Sequence, residues 1–126
     1  METLEKTMKT TDIAKRLVDY CRKAEWENAQ KELYSKDAVS IEQEASPVFE
    51  KETRGLKAIL EKGKKYDTMV EKLHKVTVSD PLVAGDSFAF VLGIDVTMKG
   101  QPRMNSPELC VYHVKDGKIV SEQFFM

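Results

Sequence analysis

The sequence is poor in the residues that usually hold metal ions and redox centres. It contains two cysteines, Cys21 and Cys110, and two histidines, His74 and His113. None of these four residues falls at a spacing typical of a metal site, and two distant thiols provide no disulfide framework. We therefore expect no bound metal and no cofactor, and we interpret both cysteines as reduced, buried thiols.

The sequence also lacks long hydrophobic runs and an excess of charge of one sign. No segment approaches the roughly 20 apolar residues of a membrane-spanning helix, and the first residues lack the apolar core of a signal peptide. Basic residues number 20 and acidic residues 21, so the net charge is −1. Acidic residues interrupt the lysine-rich segment EKGKKYDTMVEK, which predicts a solvated helix face. We expect a cytoplasmic protein with neither a membrane nor a nucleic acid as partner.

The first two thirds of the chain predict three helices and two strands. Residues 1–10 are polar and aperiodic, whereas residues 11–126 predict one domain. Capping residues at positions 10–12 precede a first helix that contains Ile13 and Leu17, and a second helix runs from Trp26 to about residues 35–37. Val39 and Ile41 alternate with Ser40 and Glu42, which indicates a strand. A third helix is expected from Thr53 to Tyr66, followed by a strand over about residues 70–78.

The last third predicts three antiparallel strands whose interior face is apolar but also carries carboxylates. On the first of them, one face holds Phe88, Phe90, Leu92, Ile94, Val96 and Met98. The next strand places Glu108, Cys110 and Tyr112 together. After the hairpin signal Asp116-Gly117, the last strand places Glu122, Phe124 and Met126 on one face. An apolar interior tolerates a carboxylate only if it is paired, protonated or needed for function. We therefore expect a pocket for a small molecule.

Helices grouped early and strands grouped late predict an α+β fold. The order of elements, together with EWENAQKELYSKDAVSIEQ and VYHVKDGKIVSEQFF, resembles the nuclear transport factor 2-like superfamily, and within it the SnoaL-like proteins. This resemblance implies a cystatin-like cone, in which three helices close a curved antiparallel sheet around an apolar pocket. It also implies a homodimer, for which the convex face with Leu109 and Val111 is the expected interface.

The resemblance leaves the reaction open, because the superfamily includes isomerases, cyclases, dehydratases and non-catalytic binders. Glu42 matches the position of the aspartate base of ketosteroid isomerases. The protonated acid of those enzymes falls on Cys110, and their tyrosine falls near Leu17 or Val18. A thiol is a weak hydrogen-bond donor, so steroid isomerisation is not expected.

These patterns give a set of candidate site residues. The candidate proton carriers are Glu42, Glu108 and Glu122, and the candidate ligand-binding residues are Ser40, Phe90, Leu92, Ile94, Val96, Met98, Cys110, Tyr112, Phe124 and Met126. Two interpretations stay open for the carboxylates. They carry out cofactor-free acid–base chemistry on a small apolar molecule, or they are neutralised by Arg54, Arg103, a lysine or Tyr112 in a non-catalytic binding or interaction module.

Overall fold

The computed structural model describes residues 8–126. Residues 1–7 of the predicted polar segment lie outside the described residues. The described elements are, in chain order, α1 (Thr10–Arg22), α2 (Trp26–Leu33), β1 (Tyr34–Ile41), β2 (Glu52–Arg54), α3 (Leu56–Met69), β3 (Val70–Val78), β4 (Leu82–Ala84), β5 (Ser87–Met98), β6 (Met104–Lys115) and β7 (Lys118–Phe125).

The strands form one curved, mostly antiparallel sheet that the helices cover on its concave side, which confirms the predicted α+β class. The strand order is β2-β1-β7-β6-β5-β3, and the short β4 pairs with β5. The predicted succession β3, β5, β6 and β7 is antiparallel throughout. Within this mostly antiparallel sheet, β1 lies parallel to β7.

The first helix is amphipathic and contributes several buried side chains to the core. Ile13, Leu17 and Cys21 of α1 are buried, as their helical spacing predicts. The predicted capping residues instead lie inside the first turn, since α1 begins at Thr10 and its N-cap, Lys9, makes no side-chain capping bond. In the part of the chain from residue 8 onwards, no helix has both the length and the apolar character needed to cross a bilayer.

Two helix boundaries, the end of α2 and the start of α3, differ from the predicted ones because strand pairing determines them. Helix α2 ends at Leu33, and Tyr34, expected within the helix, begins β1 because it pairs with Ile119 of β7. The third helix begins at Leu56 rather than Thr53, because residues 52–54 form β2 and pair with the end of β1. In both cases a long-range pairing overrides a local helical pattern.

The final hairpin follows from its turn residues. Asp116 and Gly117 have φ values of 52° and 76°, the left-handed conformation that a two-residue turn of type I′ requires at both positions. The turn pairs Lys115 with Lys118, and a one-residue shift of register between His113 and Val114 then places Tyr112 opposite Glu122 and Cys110 opposite Phe124. The predicted interior face of these two strands is therefore preserved in the sheet.

The convex face of the sheet carries an exposed apolar row. Val91, Leu109 and Phe125 are neighbours across β5, β6 and β7, and they are 45%, 42% and 41% exposed. Val111 lies one pair further along the same face of β6. On the opposite, concave face, the side chains of Phe88, Phe90, Leu92 and Tyr112 are buried.

Candidate functional site

A cavity of about 520 Å³ lies between the concave face of the sheet and the helices. Most of the residues predicted to bind a ligand line it, namely Leu92, Ile94, Val96, Met98, Tyr112, Phe124 and Met126. Glu42, Glu108 and Glu122 line the same cavity. The alternation of β5, β6 and β7 thus brings the apolar candidates, Glu108 and Glu122 to one concave surface, and the end of β1 adds Glu42.

Three candidate ligand-binding residues lie behind this wall rather than in it. Ser40 is fully buried, and its Oγ accepts a hydrogen bond from Nζ of Lys62. Phe90 stacks against Tyr112 with ring centroids 5.3 Å apart. Cys110 is fully buried, with its Sγ 3.8 Å from Oε1 of Glu108.

Glu122 is part of a buried hydrogen-bond network. The Tyr34 hydroxyl donates to its Oε1, and β1 places Ser40 directly beside it. Burial raises the pKa of Glu122, while the hydrogen bonds from Tyr34 and Ser40 partly offset this rise. The donor differs from the predicted one, because Tyr34 rather than Tyr112 satisfies this carboxyl group.

Glu42 forms an ion pair inside the mouth of the cavity. Nζ of Lys62, on α3, lies 2.5 Å from Oε2 of Glu42 and 3.2 Å from Oγ of Ser40. The side chains of Lys62 and Glu42 are only 17% and 29% exposed. A lysine therefore neutralises one of the three candidate proton carriers, whereas Arg54 and Arg103 pair with Glu52 and Asp95 outside the cavity.

Glu108 has the least compensated carboxyl group of the three. Burial, with the nearby charge of Glu42, raises its pKa to about 7, and the hydrogen bond from Cys110 and the charge of Lys62 offset this only in part. Among residues 8–126, no lysine or arginine nitrogen lies within 4.0 Å of its carboxylate. The pKa of Glu108 therefore lies close to neutral pH.

The two thiols are poor nucleophiles in this setting. Burial raises the pKa of Cys21 to about 12 and raises the pKa of Cys110 even further, so both remain protonated. His113 points away from the cavity, as its strand position predicts, and bonds through Nδ1 to Ser87. Across the described chain, no group of three His, Cys, Asp or Glu side chains is arranged to hold a metal ion.

Several residues that line the cavity were not among the candidates from the sequence. Lys62 and Tyr66 of α3, Trp26 of α2 and Tyr34 of β1 all line the cavity. Lys62 lies three residues and Tyr66 seven residues after the buried Ile59, so helical spacing alone places both on the inward side of α3. The expectation of a wholly solvated lysine face is therefore wrong at Lys62.

A smaller cavity of about 340 Å³ adjoins the main one. Besides Glu27 and Asp67, the side chains of Trp26, Tyr66, Ile94 and Val96 contribute to both. Burial and the charge of Glu108 raise the pKa of Tyr66, so its hydroxyl remains protonated and available as a donor. These four side chains bound the main cavity on the side where α2 and α3 meet the sheet.

Comparison with known proteins agrees with this architecture. Among curated proteins, none matches this chain. A provisionally named SnoaL-like polyketide cyclase from Mesorhizobium loti is similar at 28% identity, with a TM-score of 0.87 over 94% of this chain and 100% of that chain.

Two more distant solved structures share the fold. A protein of unknown function with a cystatin-like fold, from Xanthomonas campestris, is 20% identical, with a TM-score of 0.80 over 94% of this chain and 90% of that chain. TerC, co-crystallised with polyporic acid, is 12% identical, with a TM-score of 0.75 over 93% of this chain and 90% of that chain. The model of the SnoaL-like domain matches residues 8–126. The chain therefore belongs to the SnoaL-like domain family.

Proposed function

We propose that this protein binds a small, largely apolar molecule in the main cavity and transfers a proton on it without a cofactor, through Glu108. The reaction class is isomerisation, cyclisation or dehydration. The observation that carries the proposal is a carboxyl group with a pKa of about 7 that faces an apolar cavity and has no cation bonded to it among the described residues.

The size and lining of the cavity support binding of a small molecule. A volume of about 520 Å³ falls within the range of about 300–1,000 Å³ that is typical of small-molecule sites. Met98, Met104 and Met126 line the cavity, and methionine adapts its shape to varied apolar ligands. TerC, which has the same fold, was co-crystallised with polyporic acid, which is consistent with a small-molecule ligand here.

The protonation behaviour of Glu108 supports acid–base chemistry. A general acid or base works best when its pKa lies near the working pH, because both protonation states are then populated. Glu108 meets this condition, whereas Glu42 is paired with Lys62 and Glu122 is enclosed by Tyr34 and Ser40. We therefore assign the proton transfer to Glu108 and supporting roles to Glu42 and Glu122.

The alternative is a non-catalytic binding protein that sequesters a metabolite. The satisfied contacts of Glu42 and Glu122 favour this alternative, since a carboxylate that already has its partners needs no reaction to explain it. A binder would require the apolar wall and would tolerate the loss of the Glu108 proton.

One experiment separates the two functions. Trp26 is the single tryptophan of the chain and lines the cavity, so its fluorescence reports binding from a panel of cyclic and aromatic ketones. For ketones that bind, NMR in D₂O then measures exchange of the hydrogens next to the carbonyl. Proton transfer predicts exchange that falls about 100-fold or more in Glu108→Gln. Glu50→Gln, at an exposed position, is the control. Binding without accelerated exchange would support the non-catalytic alternative.

We also propose that the protein is a homodimer that pairs through its convex face. The row of Val91, Leu109 and Phe125 supports this, because a neighbouring copy would cover side chains that are more than 40% exposed. Sedimentation that shows only monomer at micromolar concentration would contradict it.

A further inference from the structure

The smaller cavity, of about 340 Å³, has a wall of aromatic and aliphatic side chains. It lies between the α1–α2 turn, the last turn of α3 and strands β3 and β5. Trp26 is the first residue of α2, and Tyr66 lies near the end of α3. The volume is at the lower end of the range of about 300–1,000 Å³ for small-molecule sites, so it suits a small organic group. The aliphatic part of the wall consists of Val70, Leu73, Ile94 and Val96.

The carboxylates of this cavity outnumber the cations beside them. Glu25, Glu27 and Asp67 line it, and among the described residues no lysine, arginine or histidine does. Lys31 lies outside the wall and pairs with Glu27, with its Nζ 2.8 Å from Oε2. Across residues 8–126, no lysine or arginine nitrogen lies within 4.0 Å of the carboxylate of Glu25 or Asp67. The amide of Asn28 donates to Glu25 and leaves its charge in place. The excess negative charge therefore rests on Glu25 and Asp67.

The end of α3 adds to the negative potential at Asp67. This residue lies in the last turn of the helix, where unpaired carbonyl groups form the negative end of the helix dipole. That turn contains no basic residue to balance the charge. Burial, with the charges of Glu108 and Asp67, raises the pKa of Tyr66, so the phenol stays neutral. An aromatic wall and a negative potential therefore coincide at this cavity.

Aromatic rings and carboxylates together favour a cation that carries alkyl groups. The face of a tryptophan or tyrosine ring attracts positive charge. An alkylated ammonium spreads its charge over apolar carbons, which can pack against Leu73 and its aliphatic neighbours. A bare metal ion would instead need several ligands around one point. The described part of the chain holds no group of three His, Cys, Asp or Glu side chains placed for that purpose.

We infer that the smaller cavity is a binding site for an alkylated ammonium ion, whose charged head lies against Trp26 and Tyr66 and near Glu25 and Asp67. The inference does not rest on the reaction proposed for the main cavity, because it uses neither Glu108 nor its proton. The residues that line the smaller cavity alone are Ala24, Glu25, Asn28, Val70 and Leu73, and they separate the two sites experimentally.

Two probes of the same shape test the role of charge in the wild type. Choline and 3,3-dimethylbutan-1-ol differ only in that a carbon atom replaces the quaternary nitrogen, so choline is charged and the alcohol is not. An NMR titration with the protein follows the methyl signal of each probe. We expect choline to bind with a Kd of about 1 mM or tighter and the alcohol to bind at least about 10-fold more weakly, because the rings and carboxylates attract only the cation.

Removal of the carboxylates tests which groups supply the attraction. In Asp67→Asn we expect choline to bind about 3-fold more weakly, and in Glu25→Gln/Asp67→Asn about 10-fold more weakly, since each exposed ion pair contributes a modest amount. The affinity for the alcohol should not change. Glu61→Gln, at an exposed position of α3 outside both cavities, is the matched control and should bind choline as the wild type does.

Two filling variants locate the site. Leu73 lines only the smaller cavity and Met98 only the main one. We expect Leu73→Trp to abolish choline binding and Met98→Trp to retain it, with native circular dichroism spectra for both. If a tryptophan variant misfolds, the two probes still decide on the wild type.

Three results would overturn the inference. They are a wild type that does not bind choline more tightly than the alcohol, an unchanged choline affinity in Glu25→Gln/Asp67→Asn, and a loss of choline binding in Met98→Trp rather than in Leu73→Trp. The last result would place the ammonium ion in the main cavity. None of these measurements depends on exchange of ketone hydrogens, so the inference and the proposed function fail separately.

Discussion

Glu108→Gln should make the protein more stable at alkaline pH, although it removes the group that we assign to proton transfer. The pKa of this carboxyl rises from 4.5 to about 7 in the folded protein. Each pKa unit corresponds to about 1.4 kcal/mol, so the ionised side chain costs the folded state at most about 3 kcal/mol. Glutamine is a neutral side chain of the same shape and avoids that cost.

The sign of the pH dependence follows from the raised pKa. Below about pH 4.5 the carboxyl group is protonated in both the folded and the unfolded chain, and it imposes no penalty. As the pH rises towards about 7, the unfolded chain ionises first, and the stability of the wild type falls relative to the variant. Above that pH the difference levels off, because both states are then ionised.

Urea unfolding of the two proteins at about pH 5, 6, 7 and 8 measures this difference directly. Glu122 is present in both proteins, so most of its contribution cancels. We expect an advantage of only about 1 kcal/mol for Glu108→Gln at the lowest pH and of about 2–3 kcal/mol at the highest. Glu50→Gln, on the exposed surface, should show no such trend. Parallel stability curves for the wild type and Glu108→Gln would refute the reasoning.

Three further outcomes follow from the structure. Tyr34→Phe removes the hydroxyl that donates to the buried Glu122 and should lower the free energy of unfolding by about 1–3 kcal/mol; a loss below about 0.5 kcal/mol would show that this bond matters little. Ile94→Trp should fill part of the main cavity and abolish ketone binding in calorimetry, with the fold intact by circular dichroism; undiminished binding would place the ligand elsewhere. Leu109→Asp should convert the proposed dimer to monomer in sedimentation, whereas Val48→Asp, equally exposed but off the convex row, should leave it dimeric.

The sheet could be predicted from the sequence because its information is local. The alternation along β5 determines which of its side chains face inward, and the Asp116-Gly117 turn marks the final hairpin; both signals act over a few residues. The parallel pairing of β1 with β7 joins residues about 80 positions apart, so no window of sequence reveals it. The early end of α2 at Leu33 is a consequence of that pairing.

The site could be predicted in part for the same reason. Strand phase brought Glu108 and Glu122 to the cavity, but it carried no information on which partner each carboxyl group would find. Lys62 looked like one solvated lysine among several, because composition does not show which turn of α3 faces the sheet. Its position three residues after the buried Ile59 was the available signal.

The different character of the carboxyl groups follows from the strand register. Ser40 of β1 and Tyr112 of β6 flank Glu122 in the sheet, and the Tyr34 hydroxyl reaches the same carboxyl group. Glu108 lies opposite Leu92 on one side, and on the other side the pairing with β7 ends one residue away, at Leu109 and Phe125. The strand neighbours of Glu108 therefore offer no hydroxyl and no cation, and burial outweighs the hydrogen bond from Cys110 and the charge of Lys62. A shift of one residue in the pairing of β6 with β5 would turn Glu108 to the convex face, so this pairing is a condition of the raised pKa on which the proposed proton transfer depends.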